Sequence, residues 1–295
     1  MHIARYRRHD SPAARVGLLR NGRLLELDGV PSLGALWSMP LERMRETVSA
    51  ARGPEIDPGR VELLAPVDGR TEVWACGVTY EISRQARRAE SEHAADVYQR
   101  VYDAERPELF FKSAAWRVAG PGQPIAVRTD SDVTVPEPEV ALIVNAAGQI
   151  AGVTACNDVS SRSIEGQNPL YLPQAKTYLG ACALGPMIRP VWEVPDPYAL
   201  GIEMTISRSG AAVWAGSAST AQLHRRLEDL VSWLFHSDVH PEGAVLSTGT
   251  CLVPPAPFTL RPGDAVRISV TEIGVLDNPV VRGLDAISAA YPLRP

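Results

Sequence analysis

The sequence lacks the features that define several large classes of protein. No apolar run among its 295 residues approaches the roughly 18 residues that a membrane-spanning helix requires, so we expect no transmembrane segment and no membrane partner. The formal net charge is −5, and neither a basic stripe nor an alternation of aromatic and basic residues occurs, which argues against nucleic acid as a partner. GxGxxG and Walker-type loops are also missing, so nucleotide binding is not supported.

Cysteines are few, and no secretory signal is evident. The basic N-terminus is not followed by an apolar core, so the expected location is the cytoplasm. The cysteines show neither CxxC nor Cys/His zinc spacing, and small or apolar residues surround each of them. We therefore expect four buried free thiols, at Cys76, Cys156, Cys182 and Cys251.

The two ends of the chain show clear periodic patterns. Residues 1–65 predict strands at 2–7, 16–20 and 24–28, followed by helices at 32–38 and 41–51. Pro66 and Asp68-Gly69 indicate a boundary after this region. The clearest helix is predicted at residues 219–235, where a capping box precedes an apolar stripe. A charged segment that begins at Thr79 also predicts a helix.

Residues 133–188 hold most of the candidate chemistry. Residues two apart on a strand point to the same face, so Glu137 and Glu139 share one face. An unbroken apolar run at 140–144 predicts a buried strand directly after them. A turn at 145–148 and a second strand from 150 to 156 would then return Asp158 to the side of the two glutamates.

Three carboxylates held close together repel one another, so such a cluster is expected to bind a cation. Oxygen ligands alone favour magnesium, with manganese or calcium as substitutes. The alternative is that Glu137 and Glu139 lie on a solvated strand face and that Asp158 only caps the next helix.

The motifs of this stretch, in their order, resemble the fumarylacetoacetate hydrolase family. The likeness rests on PEPE, NDVSSRSIEG, the lysine of PQAK, the ALGP run and a later STGT, and it covers residues 65–285. NPLYLPQAK and PELFFK are most similar to the branch of 2-keto-3-deoxy-D-arabinonate dehydratase.

The resemblance implies an α+β fold, a fumarylacetoacetase-type mixed β-sandwich roll with a small N-terminal α+β domain. The small domain would span residues 1–68 and the catalytic domain residues 69–295. A homodimer or higher homo-oligomer is implied as well.

The resemblance also assigns roles to residues of this sequence. Glu108 and Lys112 would approach the active site, with Glu108 as the candidate acid or base, while Lys176 would balance substrate charge or move a proton. Thr250 would contact the acid group of the substrate. Further substrate contacts are expected from Tyr80, Ser83, Lys112, Arg162 and Glu165.

Two of these assignments need a further condition. If the stretch after Asp158 is helical, Arg162 and Glu165 share its side of the helix. Glu165 stands where many relatives carry glutamine, and Ser163 where many carry aspartate, which leaves substrate identity open.

The expected reaction is a magnesium-dependent dehydration of a 2-keto-3-deoxy sugar acid, 2-keto-3-deoxy-D-arabinonate to 2,5-dioxopentanoate. The chain would then be a lyase of sugar acid catabolism, because the ion acidifies the C3 proton and stabilises the enolate. The same chemistry allows a C–C hydrolase, decarboxylase or isomerase of a dicarbonyl acid, such as fumarylacetoacetate or an acylpyruvate. Many family hydrolases carry a histidine soon after the tyrosine, and none lies between Tyr80 and Glu92. A third interpretation is a non-catalytic protein that binds keto acids.

Overall fold

The computed structural model of the chain describes residues 1–81 and 95–291. The strands are β1 His2–Arg8, β2 Ala14–Arg20, β3 Arg23–Glu26, β4 Glu55–Ile56, β5 Val61–Leu63, β6 Glu72–Gly77, β7 Glu108–Ala114, β8 Ile125–Val127, β9 Thr134–Val135, β10 Pro138–Val144, β11 Ile150–Asp158, β12 Ser160–Ser161, β13 Cys182–Pro190, β14 Gly201–Arg208, β15 Ala211–Ser219, β16 Ala244–Ser247, β17 Asp264–Val270 and β18 Gly274–Arg282. The α-helices are α1 Leu33–Trp37, α2 Leu41–Ser49, α3 Ala95–Asp103, α4 Arg162–Gln167, α5 Leu172–Lys176, α6 Leu227–Leu234 and α7 Gly283–Ser288. Short 3-10 helices occur at Pro58–Arg60, Ala115–Arg117, Pro169–Tyr171, Val191–Glu193 and Thr220–Gln222.

An eleven-stranded sheet runs through most of the molecule. Its order is β4-β3-β2-β1-β13-β11-β10-β16-β6-β7, and β5 pairs with β1 beside this path. The N-terminal strands join the others where β1 pairs with β13, at Ile3 and Ile188. This pairing joins chain segments from both sides of residue 68, and the division into two domains stays a prediction.

A second sheet, of five strands in the order β15-β14-β17-β18-β8, packs against the large one. The apolar core between them combines Leu142 of β10 and Val153 of β11 with Ile202 of β14 and Ile268 of β17. Two sheets that bury their inner faces against each other form a sandwich. The fold is therefore the mixed α+β sandwich that the family resemblance implies.

The β10–β11 hairpin confirms the predicted strand, turn and strand. All seven residues of β10 are buried, as an apolar run flanked by other strands requires. Pro138, which has no N–H to give to a ladder, stands at the first position of β10. The chain reverses at Gly148, whose φ of +72° lies in the region that glycine favours. This hairpin carries the candidate metal ligands.

The long helix predicted at residues 219–235 is wrong in its first half. Ser219 caps only a 3-10 turn, by accepting a hydrogen bond from the N–H of Ala221. Leu223 is extended and pairs with Tyr80, and the N–H of His224 donates to Thr79 O at 2.9 Å. Because these backbone groups bond to the Thr79–Tyr80 segment, α6 begins only at Leu227. The later residues of the predicted apolar stripe are buried within that shorter helix, at Leu227, Leu230, Val231 and Leu234, whereas Leu223, which the stripe also included, lies before it and is partly buried.

The helix predicted after Thr79 is described only over Ala95–Asp103, since residues 82–94 lie outside the described ranges. Across the described residues, no helix has both the length and the apolar character that crossing a membrane demands. The four cysteines are free and buried, as predicted.

Candidate metal and active site

Three carboxylates meet where the β10–β11 hairpin opens. Pro138 pairs with Asn157, so Glu137 and Asp158 are neighbours across the hairpin, and the Asp158 N–H donates to Glu137 O at 2.9 Å. Ligand oxygens of Glu137, Glu139 and Asp158 all lie within 4.8 Å of one another. Each of the three residues is at most 2% exposed. The alternative that Glu137 and Glu139 lie on a solvated strand face is therefore wrong. Asp158 does not cap a helix either, because it is the last residue of β11.

The STGT turn after β16 holds one of these carboxylates. Glu139 Oε2 accepts a hydrogen bond from Ser247 Oγ at 2.5 Å and one from the Gly249 N–H at 2.8 Å. Gly249 has φ +92°, and a Cβ there would overlap the hydroxyl of Thr79. The turn therefore binds a carboxylate of the protein itself, and the predicted contact of Thr250 with the substrate acid group stays a prediction.

Two lysines balance the charge of the cluster. Lys176 Nζ lies 2.8 Å from Glu137 Oε2, 2.9 Å from Asp158 Oδ2 and 2.5 Å from Ser160 Oγ. Lys112 Nζ forms an ion pair with Asp158 Oδ1 and donates to the carbonyls of Val159, at 3.1 Å, and Lys176, at 2.6 Å. Of the 29 basic residues in the sequence only these two are lysines, and both contact Asp158.

Helix α4 adds a third cation at its first residue. Arg162 Nη2 donates to Glu137 Oε1 at 2.6 Å, and Arg162 Nε lies 3.9 Å from Glu165 Oε2. Arg162 and Glu165 thus share one face of α4, as residues three apart do. The expectation that Asp158 belongs to the same helix is wrong, because β12 separates β11 from α4. Ser163 stabilises the start of α4, because its hydroxyl accepts a hydrogen bond from the Asp132 N–H at 3.1 Å.

Strand β7 contributes the opposite wall. Glu108 and Phe110 alternate with Leu109 and Phe111, so they share a face and line the same cavity. The Phe110 ring lies 5.5 Å from Lys176 Nζ, a cation–π distance. Phe111 points away and packs edge-on against Trp74. Both phenylalanines are half-buried, and Phe110 lines a charged cavity.

The cavity collects most of the predicted site residues. Its lining consists of Cys76, Gly77, Val78, Glu108, Phe110, Glu137, Glu139, Asp158, Arg162, Glu165, Leu172, Lys176, Thr250 and Val253. Lys112 lies behind Asp158 and is not part of the lining. Tyr80 is fully buried in the apolar core, where burial raises its pKa well above the ordinary value, and it does not line the cavity either. Ser83 lies outside the described residues.

The charges of the site fit a divalent cation. Burial raises the pKa of Glu139 well above its ordinary value, and the nearby Asp158, Cys156 and Glu137 raise it further. A bound cation reverses this effect, because it favours the ionised carboxylate. Five carboxylates and three cationic side chains leave two negative charges in excess, and the donor atoms of the triad are all oxygens, which suits magnesium. The eight groups are Glu108, Glu137, Glu139, Asp158 and Glu165 against Lys112, Lys176 and Arg162.

The sequence did not show which residues hold these ligands. Ser247 and Gly249 contact Glu139 from more than a hundred residues away along the chain, and Ser160 contacts Lys176 from a strand of two residues. The scarcity of lysine is a signal that could have linked Lys112 to the same cluster as Lys176. A larger groove of about 690 Å³ between Val153 and Phe235 is mostly apolar and lies apart from this cluster.

The sequence is similar to a known protein family and to two named dehydratases. Residues 82–281 match the family model described as fumarylacetoacetate (FAA) hydrolase C-terminal. The chain is 49% identical over 215 residues to the probable 2-keto-3-deoxyxylonate dehydratase of Haloferax volcanii, a match that covers 73% of each chain. It is 41% identical over 225 residues to the 2-dehydro-3-deoxy-D-arabinonate dehydratase of Saccharolobus solfataricus, covering 75% of this chain and 74% of the relative.

A solved structure is similar over almost the whole fold. It is described as 2-keto-3-deoxy-D-arabinonate dehydratase complexed with magnesium and 2,5-dioxopentanoate, and it superposes with a TM-score of 0.82 at 34% identity. The similarity covers 96% of this chain and 99% of the other. With the family model matched over more than half of its length, the chain belongs to the fumarylacetoacetate hydrolase family.

Proposed function

We propose that the chain is a magnesium-dependent dehydratase that converts 2-keto-3-deoxy-D-arabinonate into 2,5-dioxopentanoate and water. The observation that carries the proposal is the buried triad of Glu137, Glu139 and Asp158, with Lys176 bridging two of its members. The names of the two similar dehydratases support the same substrate. D-Xylonate and D-arabinonate differ only at C2 and C3, and the 2-keto-3-deoxy acid has no stereocentre at either carbon.

The triad would hold the ion. When bound, magnesium supplies Lewis-acid polarisation of the 2-keto group and stabilises the negative charge that develops there. Ser247 and the Gly249 N–H keep one oxygen of Glu139 oriented for this task, because both donate to its Oε2. Ligands that are themselves hydrogen-bonded keep their orientation.

The chain's own residues would move the protons. The elimination breaks the C3–H and C4–O bonds, forms a C3–C4 double bond and releases the hydroxyl, once protonated, as water. A proton shift from C5 to C3 then gives the C4–C5 enol, which ketonises to the aldehyde. We assign these proton transfers to Glu108 and Lys176, which face the cavity from β7 and α5.

Substrate binding falls to three other residues of the lining. Arg162, Glu165 and Thr250 surround the triad and offer the charged and polar groups that a hydroxylated keto acid needs. Lys112 would act through Asp158, which it contacts directly. For Tyr80 and Ser83 a substrate contact stays a prediction. No histidine lines the cavity among the residues that the structure describes, which favours dehydration over a hydrolysis that uses a histidine base.

We also propose a homodimer or higher homo-oligomer, as implied by the resemblance to the family, and a cytoplasmic location, which stays an expectation from the sequence. Light scattering on the purified protein would measure the assembly. A mass equal to a single chain at micromolar concentration would reject the oligomer.

The activity is tested by incubating the purified protein and magnesium with 2-keto-3-deoxy-D-arabinonate and identifying the product. We expect a mass loss of one water and a new aldehyde that forms a hydrazone. Fumarylacetoacetate and an acylpyruvate serve as comparison substrates under the same conditions. Cleavage of a C–C bond in either of them, without dehydration of the sugar acid, would reject the proposal in favour of a hydrolase.

A further inference from the structure

A glycine faces the candidate acid–base residue directly. Gly77 ends β6, and its partner in the antiparallel ladder is Glu108, the first residue of β7. A Cβ built on Gly77 would overlap Glu108 Oε2 and lie 2.6 Å from Glu108 Cδ. The third nearest atom, at 3.4 Å, also belongs to Glu108. The carboxylate therefore occupies the volume that any side chain at residue 77 would take.

The backbone does not explain why residue 77 is glycine. Gly77 does not have a positive φ, so other residues could adopt its backbone conformation. The next residue shows the reverse situation, because Val78 has φ +53°, a region where a β-branched residue is strained. Residue 77 is thus glycine although its backbone conformation does not require glycine. Residue 78 is valine although its backbone conformation favours glycine.

Contacts on the far side of Val78 hold this conformation. The Thr79 hydroxyl donates to Thr248 O at 2.6 Å, and Thr79 O accepts from the His224 N–H at 2.9 Å. Both Gly77 and Val78 line the cavity. In the cavity, residue 77 thus leaves space for the Glu108 carboxylate, and Val78 adds an apolar side chain next to it.

We infer that Gly77 is a positioning residue for the reaction, whose missing side chain lets the carboxylate of Glu108 lie over the end of β6 and enter the cavity. What Glu108 does there rests on the proposed function, whereas its placement by Gly77 does not. Alanine at residue 77 would displace a flexible side chain and no backbone atom among its nearest neighbours, so the fold should tolerate it.

A double-mutant cycle tests the inference on the magnesium-loaded enzyme, with the wild type, Gly77→Ala, Glu108→Ala and the double variant. We expect Gly77→Ala to lower kcat by roughly a hundredfold, in the range of a lost proton-transfer group, with KM changed by less than about threefold. The double variant should match Glu108→Ala within about twofold, because both changes remove the same group. If Gly77→Ala lowers the activity of the Glu108→Ala enzyme by the same factor as that of the wild type, the inference is wrong.

Two further measurements separate placement from general damage. Gly34→Ala is a matched control, since a Cβ there would lie 2.7 Å from the Glu242 carboxylate, outside the site, and it should leave kcat unchanged. A crystal structure of the Gly77→Ala protein should show Glu108 moved out of the cavity and the triad unmoved. Should the wild type dehydrate no sugar acid, the proposed function fails, and this structure still decides the inference, because an unmoved Glu108 would overturn it.

Discussion

Charged groups are paired in two contrasting ways in this molecule. On the five-stranded sheet, Arg267 and Asp277 are direct cross-strand partners, and more than half of each side chain is exposed. In the site, the paired groups of Lys176, Glu137 and Asp158 are at most 3% exposed. Exposed pairs are screened by water and salt, whereas burial of charge costs several kcal/mol per ion, by order of magnitude, unless partners compensate. The comparison indicates that the buried cluster adds little net stability and depends on all of its partners being present.

The type of cation differs between the two regions as well. The described ion pairs outside the site use arginine, histidine or the N-terminus, and both lysines of the sequence lie in the site. A lysine ammonium is compact and donates in three directions, and Lys176 has three acceptors around it within 2.9 Å. The planar guanidinium of arginine does not fit such an arrangement.

The largest effect is expected from Glu139→Gln, which keeps the shape of the ligand and removes its charge. Turnover should fall at least about a thousandfold, because Lewis-acid stabilisation by a bound ion is worth several kcal/mol. Steady-state kinetics at saturating magnesium would measure the loss. Glu203→Gln, on an exposed position of β14, is the control and should change nothing. Turnover within tenfold of the wild type would remove Glu139 from the metal site.

Lys176→Met should weaken the fold as well as the activity. In chelator-treated protein we expect the free energy of unfolding to fall by about 3–5 kcal/mol, because two buried carboxylates lose their shared cation. Urea denaturation measures this loss, and added magnesium should reverse part of it. Lys176→Arg should not restore activity. Unaltered stability in both variants would mean that the lysine does not neutralise the cluster.

Ser247→Ala should act on metal affinity alone. The variant loses the 2.5 Å hydrogen bond to Glu139 Oε2, and loss of such a supporting bond typically weakens metal binding about 10–100-fold. Calorimetric titration with magnesium would show the change. Ser113→Ala is the matched control, since the Ser113 hydroxyl is buried on β7 but bonds only its neighbour's carbonyl in the described contacts. Equal affinity in the two variants would contradict the assigned role of Ser247.

The smallest effect is expected at the exposed pair. A double-mutant cycle of Arg267→Ala and Asp277→Ala should give a coupling energy of about 0.5 kcal/mol, which 1 M salt should abolish. Thermal or urea unfolding of the four proteins would measure it. A coupling energy as large as the loss of unfolding free energy expected for Lys176→Met would remove the contrast between the two regions.

The structure around the triad could be predicted from the sequence because its pattern is local. The apolar run at 140–144, the turn at Gly148 and the return strand together bring Asp158 back to Glu137, because the register of a hairpin follows from its turn and its buried face. The triad was predictable for that reason, whereas the α+β class followed from the resemblance to the family.

Features that depend on contacts between residues distant along the chain could not be predicted. Backbone bonds from the Thr79–Tyr80 segment interrupt the helical pattern of residues 219–235, and no periodicity in that stretch shows it. The role of Gly77 depends equally on Glu108, which lies in another strand of the ladder. Phe110 looks apolar in sequence, and only the neighbouring Lys176 shows that it lines a charged cavity.

The most direct test of the account compares turnover with metal occupancy. Chelator-stripped protein would be loaded stepwise with magnesium, and the rate of 2,5-dioxopentanoate formation measured against the metal bound per chain. We predict a rate that is negligible without metal and rises in proportion to occupancy up to one ion per chain, the capacity of the single triad that the described residues form. A full rate in protein that holds almost no metal would contradict the account.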